Sequence, residues 1–106
     1  MANVTTDVIN PAYGMLTQAV AYGAASGSIA TQYPATSAGC VWAMCTTTAY
    51  VFVGALGTEA TTANGVPVAA NVPVVLNIPT DAGTWIVSAI RIGGSDGVLY
   101  VKPLMN

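Results

Sequence analysis

Charge is almost missing from this 106-residue chain: Asp7, Glu59, Asp81, Arg91, Asp96 and Lys102 are its only charged side chains, and it has no histidine. An ordinary soluble domain is about one-quarter charged, whereas this one is 6% charged and 54% hydrophobic. Size scaling gives a folded monomer of this mass a surface of roughly 5,500 Å². Six charges leave one per ~900 Å², against one per ~200 Å² for typical composition. Such a surface must hold broad uncharged patches, and patches of that kind mark contact with another molecule. The expectation is a subunit largely covered by neighbours.

Each shortage excludes a class of function. Two cations cannot neutralise a run of phosphates, so electrostatic binding of nucleic acid is excluded as a working expectation. Without histidine there is no ordinary general base for a Ser or Cys nucleophile, and no Ser-x-x-Lys spacing replaces it. The four carboxylates fall at Asp7, Glu59, Asp81 and Asp96. Asp81 and Asp96 lie in glycine-containing turns, where Asp bonds its own backbone. The segment Gly93-Gly94-Ser95-Asp96-Gly97 joins two predicted strands and is acidic, unlike a phosphate cradle. No catalytic residue, metal site or cofactor is expected.

Long apolar runs are missing too. Thr, Gly, Pro and Asn interrupt every stretch before the ~18 residues that a membrane helix requires. Met1-Ala2-Asn3-Val4-Thr5-Thr6-Asp7 has neither a basic start nor an apolar stretch behind it, so no secretory signal is expected. Cysteine is limited to Cys40 and Cys45, five apart. In one extended strand these would face opposite sides, ~16 Å apart, too far for a disulfide. Two buried free thiols are expected, and a zinc site lacks its further ligands.

What is present points to β structure. Composition shifts near residue 38. Residues 1–38 are rich in Ala, Thr, Ser and Gly and are expected to form an N-terminal arm with one or two short strands. Met15–Tyr22 fits either a short helix or a strand, bounded by Pro11 and Gly23. Ser28–Tyr33 looks extended. In this arm Tyr13, Leu16, Tyr22, Ile29 and Tyr33 are the candidate interface residues, since exposed Tyr and aliphatic side chains suit contact surfaces.

Residues 39–106 form the expected antiparallel β domain. Val41–Val53 is dense in β-branched and aromatic residues and holds one bent strand or two short ones, apolar on both faces. Glu59–Ala63 reads as a short polar strand, turning at Asn64-Gly65 into Val66-Pro67-Val68. Val72–Ile78 directs Val74, Leu76 and Ile78 inward, with Pro73 placing its start at an edge or bulge. Trp85–Ile92 and Val98–Leu104 read as a closing hairpin. Trp42, Trp85, Tyr50, Phe52 and Tyr100 are assigned to core packing. Turn signals every 8–12 residues describe an all-β chain: a small antiparallel β-sandwich or barrel with an N-terminal arm.

Thr62-Ala63-Asn64-Gly65-Val66-Pro67-Val68-Ala69-Ala70-Asn71-Val72-Pro73 carries a resemblance. A polar strand, an Asn-Gly turn, a Val-Pro pair and a small-residue pair are followed by an aliphatic strand and a closing pair of strands. With Tyr50-Val51-Phe52-Val53-Gly54 before it, this texture over residues 50–104 resembles the small all-β structural proteins of tailed bacteriophages. Ala69-Ala70-Asn71 stands where that pattern favours glycine. The resemblance implies a non-enzymatic virion component, foremost a capsid decoration or cement protein that binds the assembled shell and clamps neighbouring subunits. Its implied partners are the major capsid protein or other virion proteins and copies of itself, a trimer favoured, in particles assembled in the host cytoplasm. The alternatives are a tail or portal-region adaptor, or a host-facing fibre or tip domain binding a surface glycan.

Overall fold

The computed structural model describes residues 16–29, 39–55, 57–78 and 84–104. Eight strands run in chain order: β1 (Gln18–Tyr22), β2 (Gly27–Ser28), β3 (Cys40–Cys45), β4 (Ala49–Ala55), β5 (Val66–Val68), β6 (Val74–Asn77), β7 (Trp85–Arg91) and β8 (Gly97–Leu104). No helix occurs among the described residues, so none there is long and apolar enough to cross a membrane. One sheet has the order β1-β8-β3-β6 and the other β2-β7-β4-β5. Every pairing between these strands is antiparallel. Eight strands in these two orders form a jelly roll, the double-sheet β-sandwich.

Period-two burial explains how the sheets meet. Along β3, Val41, Ala43 and Cys45 are fully buried, opposite Pro103, Val101 and Leu99 of β8. Along β4, Val51 and Val53 face inward beside Ala89 and Val87 of β7. The facing layers are built mainly of Val and Ala, and small β-branched residues suit a thin, close-packed interior. Trp85 is the largest fully buried side chain.

Backbone alternation accounts for a proline in a central strand. The Thr46 amide donates to the Val98 carbonyl at 3.0 Å. Val98, Tyr100 and Lys102 therefore turn their backbone groups to β3, and Leu99, Val101 and Pro103 turn theirs to the β1 side. β1 ends at Gln18, opposite Val101. Pro103 thus has its missing N–H where no strand waits for it.

Two expectations about the strands need correction. Trp85–Ile92 and Val98–Leu104 are not hairpin partners: β7 and β8 are central strands of different sheets, each already flanked on both sides. Met15–Tyr22, which fitted either a short helix or a strand, is strand β1 over its described part and pairs with the last strand. Glu59–Ala63 is no strand. Asn64 Oδ1 accepts from the Thr61 amide at 2.7 Å, Asn64 Nδ2 donates to the Glu59 carbonyl at 3.0 Å, and Thr61 Oγ1 accepts from the Asn64 amide at 3.1 Å. These local bonds take backbone groups that a ladder would need.

The composition shift near residue 38 does not separate two bodies among the described residues. β1 and β2, from the first third, are an outer strand of each sheet. Val41–Val53 resolves into two strands in different sheets, joined across residues 46–48. β6 follows the predicted alternation, with Val74 and Leu76 inward, and lies at a sheet edge as Pro73 requires.

Candidate interaction surface

The two broad faces of the sandwich differ in what covers them. On the β2-β7-β4-β5 sheet, the segment after β4 folds back over the outer face. The Ala60 amide donates to Ser88 Oγ at 2.7 Å, and both residues are buried. Ser26 Oγ donates to Glu59 Oε1, fastening the same segment to the β1–β2 corner. A Cβ on Gly65 would collide with Tyr50, and one on Gly54 would meet Thr58 Oγ1 at 2.7 Å, so the loop backbone lies directly on this face. Tyr50 and Phe52 are half-buried beneath it.

The outer face of the β1-β8-β3-β6 sheet is built differently. Residues directly opposite in a ladder share a face. Register therefore places Ala19, Tyr100 and Met44 in one cross-strand row, and Lys102, Trp42 and Val75 in the next. Val75 is 55% exposed and Tyr100 36% exposed, while Trp42 and Met44 are half-exposed. Lys102 is the single charge in these rows. The Arg91–Asp96 ion pair, at 2.6 Å, lies at the β7–β8 corner instead.

The five predicted interface residues do not converge on this face. Tyr13 and Tyr33 lie outside the described residues. Leu16 is 76% exposed, just before β1. Tyr22 and Ile29 belong to the core, at 3% and 2% exposure, which corrects their assignment to the surface. The Tyr22 hydroxyl donates to the Thr47 carbonyl at 2.6 Å and accepts from the Thr47 amide at 3.1 Å, tying β1 to the β3–β4 connection. A phenol with a polar partner at its tip is satisfied inside.

The aromatics show the opposite error. Only Trp85 among the five assigned to the core is fully buried, while Trp42, Tyr50, Phe52 and Tyr100 lie on outer faces. The missed surface residues are Trp42, Met44 and Tyr100, whereas Val75 is outward as the alternation of Val72–Ile78 has it. Their signal was the second apolar face of Val41–Val53 and of the last strand.

Comparison with protein-family models, with curated proteins and with solved structures returned no match. The side chains therefore carry the functional reading alone.

Titratable chemistry is sparse. Cys40 and Cys45 are free and buried. Burial pushes both thiols up; at Cys45 a hydrogen bond with Tyr22 opposes that shift in part. A thiol held protonated in this way is a poor nucleophile and behaves as a small apolar residue. Among the described residues no three His, Cys, Asp or Glu side chains cluster to hold a metal ion.

An open groove of about 260 Å³ runs along the side of the sandwich where β5 and β6 are the outer strands. Val51, Val53, Val66 and Leu76 line it, with Asn64 and Asn77. β5 ends its pairing at Val66, opposite Val51, and so leaves this flank uncovered.

Proposed function

We propose that this protein is a non-enzymatic structural subunit of a bacteriophage virion, foremost a capsid decoration or cement protein that lies on the assembled shell and bridges neighbouring capsid subunits. The observation that carries the reading is the outer face of the β1-β8-β3-β6 sheet, over which no loop folds among the described residues, with Trp42, Met44, Val75 and Tyr100 around one lysine. Large amphipathic aromatics and Met with few charges make the composition of an interface centre. The opposite face is covered by the chain's own loop, so the molecule has one side suited to a lattice. Jelly rolls recur in viral coat proteins and in lectins, and the architecture agrees with this role.

Attachment through such a face depends on desolvating apolar area, so it should change little with salt. The test is to image intact particles carrying a labelled copy and count the label. The expected result is many copies spread over the whole shell. Copies confined to the tail or to one vertex would overturn the cement role. Trp42→Asp is expected to keep the far-UV circular dichroism of the parent and lower shell occupancy by roughly tenfold or more, the effect of losing one buried aromatic anchor.

A further inference from the structure

Four strand edges end the two sheets, and an open edge is a template for another strand. Three of the four are blocked by a specific device. β2 is only two residues long. β5 turns Pro67 outward, since Val66 and Val68 are the residues that bond β4, and proline has no N–H to offer. β1 is five residues long, but only Ala19 and Ala21 turn outward, and a Cβ on Gly27 would collide with the Ala21 carbonyl, so the chain itself lies against that end of the edge.

Among the described residues β6 has no such block within Val74–Asn77; its own proline, Pro73, lies just before the strand. The Cys45 carbonyl accepts from the Asn71 amide at 2.7 Å and the Gly39 carbonyl accepts from the Ile78 amide at 3.3 Å, so the odd residues of β3 face β6. Their partners Val74 and Leu76 then bond β3, and Val75 and Asn77 direct both backbone groups away from the sheet. Both residues are exposed, and neither proline nor a charged residue lies within Val74–Asn77.

We infer that β6 is a self-pairing edge that joins two copies of this chain into one continuous eight-stranded sheet. The pairing is antiparallel about a two-fold axis through Leu76. Val75 of each copy exchanges N–H···O bonds with Asn77 of the other, making four bonds, and the two Leu76 side chains meet as a non-hydrogen-bonded pair on the inner side. This register is self-complementary, as an isologous contact must be. It also places the two grooves face to face, so that Val51, Val53 and Val66 of both copies close beneath the Leu76 pair. No charged residue lines the edge or the groove, so the two copies meet without like-charge repulsion. An extended peptide from a different protein would lack this two-fold register.

The inference does not depend on the virion reading and is tested on purified protein. Sedimentation at about 100 μM suits an interface this small, and a dimer is expected. Val75→Pro removes only outward N–H groups, two of the four bonds, so the dimer should weaken by roughly thirtyfold with the circular dichroism unchanged. Ala19→Pro on β1 should leave the dimer as it was. Leu76→Cys brings two thiols to a Cα separation of about 4.5 Å across the axis, within disulfide reach. Mild copper-phenanthroline oxidation should therefore link it covalently into dimers, while the parent, with Cys40 and Cys45 buried, stays unlinked. A parent that sediments as a monomer, or as a trimer, overturns the inference. So does a Leu76→Cys chain that fails to cross-link, whether or not the proline variant folds.

Discussion

Ser88 shows how one polar atom holds a whole loop. It is fully buried in β7, and its hydroxyl accepts from the buried Ala60 amide at 2.7 Å. Ser88→Ala leaves that amide without a partner, and the loss of an acceptor for a buried N–H costs about 1–3 kcal/mol. Chemical denaturation should report that loss, with faster amide exchange concentrated at residues 57–65. Tyr22 makes the complementary point about residue identity. Tyrosine serves interfaces and interiors alike, and what decides its place is Thr47, 25 positions along the chain. No property of the segment around Tyr22 reveals that partner. Ile29 is buried for a still more distant reason: its amide donates to the Val87 carbonyl at 3.1 Å, placing it beside β7 on the inner face.

At the scale of elements, the β1–β2 corner depends on a glycine. Gly27 lies so close to the Ala21 carbonyl that a side chain there has no room. Gly27→Ala should force the two strands apart and destabilise the fold by about 2–3 kcal/mol, the usual cost of overpacking a tight contact, measured as a lower urea midpoint with an unchanged slope. The strands themselves were legible where β-branched residues alternate, as in β3, β4, β6, β7 and β8, and so was the all-β class. Their partners were not. Gly93–Gly97 has the composition of a hairpin loop, yet it crosses between sheets because β7 and β8 each already have two neighbours. Asn64-Gly65 does turn the chain, but Thr61 and Asn64 spend their side chains on the backbone before it, and β5 pairs with β4 instead. The candidate surface was legible only as an excess of apolar positions, since alternation gives two faces and does not say which one the chain covers.

For the molecule as a whole, scarce charge has a definite geography. Among the described residues Glu59 lies on the loop over one sheet, Arg91 and Asp96 pair at a corner, and Lys102 is the charge on the open face. The first strand is completed only by the last: Gln18 pairs with Val101, and Gly27 with Ala89. During synthesis β1 and β2 must wait for almost the entire chain before either finds its neighbour. Folding dominated by such distant pairings is slow, of the order of milliseconds to seconds for all-β domains. Stopped-flow refolding should show that range, and a chain ended before β8 should aggregate rather than fold, because β1 and β3 then keep open edges. For a nascent chain so poor in charge, the interval before its last strand leaves the ribosome is the period of greatest exposure to wrong partners.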